Sequence, residues 1–120
     1  MDKIYKIDGI SMRKAINEFG TIYYYNDKGE YHREDGPSVE WTNGDKWWYK
    51  NGLQHKEDGP AVEYSDGDKG WYKNGLQHKE DGPAVEYSDG NKEYWYNDIW
   101  HPEIETDEEW IRFVKLMVFQ

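Results

Sequence analysis

Four histidines recur at a fixed interval, His32, His55, His78 and His101, each followed two positions later by a glutamate. Imidazole beside carboxylate is the raw material of a zinc site or of general acid–base chemistry. Glu57-Asp58 and Glu80-Asp81 add paired carboxylates. The spacing argues against a shared metal. Two strands per repeat at about 4.8 Å each would set successive histidines roughly 10 Å apart, whereas Zn–N bonds are about 2 Å long. Each histidine is therefore expected to hydrogen-bond a neighbouring turn. The paired carboxylates repeat in every unit, while an active site is a single asymmetric constellation, and no Ser-His-Asp spacing, phosphate-cradling glycine loop or HExxH is present. The chain reads as non-enzymatic, with no catalytic residue, no metal site and no cofactor.

The elements that must position these side chains repeat every 23 residues. Residues 55–77, HKEDGPAVEYSDGDKGWYKNGLQ, share 17 of 23 identities with residues 32–54, and residues 78–90 repeat the first 13 without change. A fixed period of this kind marks a repeat architecture, in which units bury apolar surface by stacking on neighbours. Val62 and Tyr64 alternate with Ala61, Glu63 and Ser65, as in a half-buried strand. Asp66-Gly67 and Asn74-Gly75 are dipeptides favoured in two-residue hairpins with positive φ at both central positions. Lys69 to Lys73 reads as the return strand between them. The expected fold is mainly β: an elongated, right-twisted antiparallel meander of 23-residue hairpin repeats.

The rhythm of turn glycines, the aromatic pair Trp71-Tyr72, Asn74-Gly75 and then a histidine resembles the MORN repeat. HKEDGPAVEYSDGDKGWYKNGLQ is closer still to the divergent MORN-like units with an HREDGPA-type core found in uncharacterised bacterial, phage and large-virus proteins. The resemblance spans about residues 21–104 and implies a β-hairpin array. MORN-type repeats elsewhere serve scaffolding, lipid contact or antitoxin-like roles, and no residue role transfers from them. The Asp-Gly-Pro turn and the acidity here depart from the usual glycine-rich hairpin end.

Different elements close the array, and the whole reads as one domain. Residues 1–20 form an N-terminal cap: Lys3 to Ile7 alternates as a short strand, Asp8-Gly9 turns, and Met12, Ala15, Ile16 and Phe19 fall on one helical stripe. Ser11 would be the N-cap of that short helix, and Gly20 would end it. Thr21 to Tyr25 is a strand, and residues 21–31 read as the back half of a degenerate repeat with one inserted residue, where the array begins. Residues 105–120 form a C-terminal capping helix behind the capping box Thr106-Asp107-Glu108-Glu109. Its stripe is Trp110, Ile111, Val114, Met117 and Val118, with Phe113 beside it. The alternative is that Trp110, Phe113 and Met117 form a face for a dimer or a partner.

Composition narrows the function. A net charge of −10 argues against nucleic acid or anionic membranes as direct partners. No cysteine is present, and the start lacks the apolar core of a secretion signal, so a cytoplasmic location is expected. Seven tryptophans and eleven tyrosines are too many for a disordered chain. Trp48, Trp71 and Tyr94 form one row and Tyr49, Tyr72 and Trp95 another, with neighbouring rings on opposite sheet faces. One row would be core; the other is either a stacking ladder or a contact surface. Trp47, Gly70 and Glu93 share a position and vary in character, which marks an outer row.

Glu40, Glu63 and Glu86 form a ladder on the face opposite the valines, and Asp66 and Asp89 add charge at the turns. These acids either keep the surface soluble or steer the protein towards a basic partner. The functional reading is a protein-binding module: an inhibitor or decoy that sequesters a basic, nucleic-acid-binding protein, in the manner of a phage anti-defence factor or antitoxin. Glu40, Glu63, Glu86, Asp66 and Asp89 would steer, and Trp71, Tyr72, Tyr94 and Trp95 would anchor. The competing readings are a small-molecule binder using an aromatic row and a self-assembling structural module.

Overall fold

The computed structural model describes residues 3–6 and 12–118. Its principal dimensions are 49 × 32 × 18 Å and its radius of gyration is 16.5 Å, against about 14 Å for a compact domain of this length. The fold is mainly β, a meander-like antiparallel sheet closed by one C-terminal helix.

Three strands open the sheet: β1 (Lys3–Lys6), β2 (Met12–Ile16) and β3 (Ile22–Asn26). Each repeat then adds two very short strands. These are β4 (Val39–Glu40) and β5 (Lys46–Trp47), β8 (Val62–Glu63) and β9 (Lys69–Gly70), and β12 (Val85–Glu86) and β13 (Lys92–Glu93). The order among the described residues is β1-β2-β3-β4-β5-β8-β9-β12-β13. Between β5 and β8, β6 (Tyr49–Lys50) and β7 (Leu53–Gln54) leave the sheet as a separate hairpin. The pairs β10 (Tyr72–Lys73) with β11 (Leu76–Gln77), and β14 (Trp95–Tyr96) with β15 (Ile99–Trp100), do the same in the following repeats.

The return strand expected over Lys69 to Lys73 is thus broken at Trp71, and the break has a cause. The Trp71 amide donates to Ala84 O of the next repeat at 2.7 Å, while its carbonyl accepts from His78 N at 3.1 Å. Trp48 does the same with Ala61 and His55, at 2.7 and 3.2 Å. One residue serves the sheet with its amide and the hairpin with its carbonyl, so the chain turns a corner there. Ser38, Ala61 and Ala84 lie at these crossings and are fully buried, leaving no room for a larger side chain.

The turns differ in kind. Asn74 and Gly75 both have positive φ, 51° and 83°, the two-residue turn the dipeptide implies. At Asp66-Gly67 only the glycine is left-handed. Tyr64 N donates to Asp68 O and Gly67 N to Tyr64 O, a three-residue hairpin closed by a left-handed glycine.

The N-terminal helix expected from Met12 to Phe19 is instead strand β2, paired with β1 on one side and β3 on the other. Its proposed N-cap Ser11 and the Asp8-Gly9 turn lie outside the described residues. A helix this short is marginal alone, while two flanking strands satisfy the amides and carbonyls of β2. Gly20 has φ 88° because it closes the β2–β3 turn, where Asn17 N donates to Thr21 O and Gly20 N to Asn17 O. Phe19, the last member of the apparent stripe, sits at that turn and is 74% exposed. A left-handed glycine ends helices and closes hairpins alike, so the sequence signal was shared.

Helix α1 (Asp107–Val118) covers the last repeat. Thr106 Oγ1 accepts from the Glu109 amide at 3.1 Å and donates to the Glu109 carboxylate at 3.2 Å, so the glutamate holds the cap hydroxyl. Trp110 is fully buried, its Nε1 donates to Lys79 O at 2.8 Å, and it packs with Tyr94 and Val114. Val118, placed on the stripe by the sequence, is half exposed. Trp110→Ala should destabilise the protein by about 3–5 kcal/mol, since it leaves a large cavity. Leu116→Ala, at a site 65% exposed, should stay within about 0.5 kcal/mol; urea unfolding midpoints of the two variants test the cap.

Candidate functional site

Two surfaces carry chemistry, one on each side of the sheet. On the first, the histidines tie the opening loop of each repeat to its closing hairpin. His32, His55 and His78 are buried. Their Nδ1 atoms accept from the backbone amides of Asn51, Asn74 and Asn97, 19 residues downstream, at 3.0, 2.9 and 3.0 Å. Accepting there leaves the proton on Nε2, which points at the glutamate two residues on: Glu34 at 3.0 Å, Glu57 at 2.6 Å and Glu80 at 3.4 Å. His101, followed by α1 and not by a hairpin, turns its Nδ1 to Glu103 at 2.8 Å and packs between Trp110 and Phe113. The expected hydrogen bond to a neighbouring turn is therefore present. Among the described residues no three His, Asp or Glu side chains converge as a metal cage requires.

The Trp48 and Trp71 rings lie on this side, under cations. Lys56 Nζ is 3.9 Å from the Trp48 centroid, Lys79 Nζ 4.2 Å from Trp71, and the Arg33 guanidinium 3.9 Å from Tyr24. The glycine of each Asp-Gly-Pro turn makes space for that cation. A Cβ on Gly36 would come within 2.8 Å of Arg33, and one on Gly59 within 3.2 Å of Lys56 Nζ. In the last repeat Pro102 replaces the lysine, and Trp110 covers Tyr94 instead, 5.6 Å between centroids.

The structure places the proposed steering acids in unequal settings. Glu40 faces Lys46, Glu63 faces Lys46 and Lys69, and Glu86 faces Lys69 and Lys92. The ladder is thus interleaved with lysines, an opposite-charge arrangement that stabilises a sheet. Glu40 also pairs with Arg33 at 3.3 Å. Asp66 and Asp89 are exposed, and each Oδ1 accepts an amide of its own turn, from Asp68 and Asn91 at 2.9 Å. Sequence reasoning passed over Asp45 and Asp68, whose Oδ1 atoms accept from Ser65 and Ser88 of the next repeat at 2.7 Å. The available signal was the change to Asn91 in the last repeat, which has no successor to hold.

The anchors divide as well. Tyr94 is 3% exposed and belongs to the cap, so it is no free anchor. Trp71 is half-buried beneath its lysine. Tyr72 and Trp95 lie on the opposite surface, beside the exposed rings Tyr64 and Tyr87.

The carboxylates of the histidine loops are open to solvent. Their side-chain exposures run from 68% for Glu34 and 84% for Asp35 to 73% for Glu57 and 60% for Glu80. Successive loops flank notches of about 590 Å³, between Glu34-Asp35 and Glu57-Asp58, and about 660 Å³, between Glu57-Asp58 and Glu80-Asp81. The His55 hydrogen bond holds the Glu57 carboxyl below the usual carboxylate range. Its contribution is present above that range and fades as pH falls through the lowered value. Burial pushes the Tyr94 phenol well above its ordinary value, helped by the bond it donates to Asp107 at 2.6 Å.

No family model, curated protein or solved structure matches this chain. Among the described residues no helix is long and apolar enough to cross a membrane.

Two outcomes follow. His55→Ala should cost about 1–3 kcal/mol in thermal or urea unfolding, because the Asn74 amide loses its acceptor. For Tyr94 the fold favours the protonated phenol, so its contribution is whole below about pH 10 and lost as pH rises beyond. Stability measured across that range should fall less steeply in Tyr94→Phe, at a cost of about 1 kcal/mol near neutrality.

Proposed function

We propose that this protein is a non-enzymatic binding module that contacts a basic protein through the border of histidine loops. One observation carries the reading. Lys56 and Lys79 lie over tryptophan rings, and Lys46, Lys69 and Lys92 stand opposite glutamates; the exposed Lys50 and Lys73 border one notch each, where the four loop carboxylates outnumber them. The negative charge is therefore presented in pairs, unit after unit, and steers a cationic surface into the notches. The steering role moves from Glu40, Glu63, Glu86, Asp66 and Asp89 to Glu34-Asp35, Glu57-Asp58 and Glu80-Asp81. The MORN-like resemblance supports an interaction role, and a nucleic-acid-binding protein, with its cationic groove, fits the charge. Inhibition by occlusion, as in an antitoxin or phage anti-defence factor, follows from such a contact.

Affinity capture at low and high salt tests this. Wild type should retain a basic protein that high salt releases. Combined Glu57→Gln, Asp58→Asn, Glu80→Gln and Asp81→Asn should lose it, and Glu63→Gln with Glu86→Gln should keep it. Capture that is indifferent to salt and to the loop substitutions would sink the proposal.

A further inference from the structure

The opposite surface holds a vacancy that the repeat pattern itself measures. Val62 pairs with Trp47 on one side and Gly70 on the other, and Val85 pairs with Gly70 and Glu93. Directly opposed residues share a face, so Trp47, Gly70 and Glu93 form one row. In the first of these repeats the Trp47 indole fills the space, 5.1 Å from Trp41 and 6.5 Å from Tyr49 between centroids. The next repeat keeps both flanking rings, as Tyr64 and Tyr72, and loses the one between them. A cavity of about 350 Å³ opens there, lined by Tyr64, Gly70, Tyr72, Gln77, Tyr87 and Trp95.

No left-handed backbone demands the glycine, because Gly70 is not among the positive-φ residues. A Cβ would meet nothing closer than Tyr72 Cε2 at 3.3 Å. A glycine inside a strand often marks close approach of another group. The far wall is set by Glu93, whose carboxylate accepts from Trp95 Nε1 at 3.1 Å and from the Tyr87 hydroxyl at 3.2 Å. Glu93 and Asp68 both border the cavity, which favours a ring bearing an N–H donor or positive charge over an anion. Lys69 also borders it, but it pairs across strands with Glu63 and Glu86 on the other face.

We propose that the Gly70 cavity binds a planar bicyclic aromatic group carrying an N–H donor; the Trp47 indole, whose own Nε1 has no partner among the described residues, is the internal template for the ring, and Glu93 and Asp68 favour the donor. Stacking between tyrosine rings supplies the attraction, and the exposed Tyr64 and Tyr87 leave the entrance open. The loop carboxylates take no part; Tyr72 borders both the cavity and one notch, so Gly70→Trp and the response to salt are what separate this site from the charge-steered contact.

The test is a nuclear magnetic resonance titration of the full chain with indole, in low and high salt. Saturable shifts at Tyr64, Gly70, Tyr72, Gln77 and the Trp95 side chain, unchanged by salt, are expected. Gly70→Trp restores the residue that the preceding repeat carries, so it should fold and abolish the shifts. Tyr72→Ala, a second variant should that one misfold, should weaken binding about five- to tenfold. A Gly-Trp-Gly peptide run beside free indole separates the sources. Tighter binding of the peptide means that the ring arrives on a protein, and tighter binding of indole means a free ligand. No saturable shift with either probe, or shifts that persist in Gly70→Trp, overturns the proposal.

Discussion

A side-chain acceptor that reaches a backbone amide 19 or 20 residues downstream is the constraint on which the rest depends. His32, His55 and His78 provide it at one border, and Asp45 and Asp68 at the other. Strands of two residues cannot hold a sheet by their own ladders, and a lone hairpin is marginal in water. The histidines close each 23-residue unit on itself and the aspartates fix it to its successor, which makes the short pairs cooperative, as nearest-neighbour coupling does in other linear arrays. The core can then be thin, made of one valine, one small residue and one ring per repeat.

The charge distribution follows from the same geometry. With the turn glycine leaving room, each cation lies on an aromatic face, where partial desolvation strengthens the attraction. The carboxylate two residues past the histidine has one oxygen tied to the imidazole and the rest of its surface in water. Three of the chain's fifteen basic residues, Arg33, Lys56 and Lys79, are held on rings in this way. The loop carboxylates recur at intervals that the sheet keeps in register.

Much of this was legible in the sequence. The period gave the array, Asn74-Gly75 the tight turn, and Trp110 with Val114 the cap, because each rests on a local rule with one outcome. Three features were not legible for physical reasons. The Met12 to Phe19 stripe satisfied helix spacing, but the choice of strand was made by β1 and β3, which lie outside the window. The corner at Trp71 depends on which residue of the next repeat faces its amide. The Glu63 row looked like bare acid because a one-dimensional reading does not show that Lys46 and Lys69 oppose it.

The final repeat is written differently from those before it. Asn91 stands where Asp45 and Asp68 reach forward, Asp98 where Gly52 and Gly75 leave the turn bare, and Pro102 where the other units place a cation. Asp98 takes the left-handed turn position itself, φ 69°, and Asn91 bonds only within its own turn. These substitutions act as a stop codon does in a message, so the array carries its own length in residue identities. Duplicating residues 55–77 in place would extend the molecule by roughly 10 Å per copy with every junction intact. Duplicating residues 78–100 would put a terminus in the middle, and the two halves would meet without the aspartate link that Asp45 and Asp68 make.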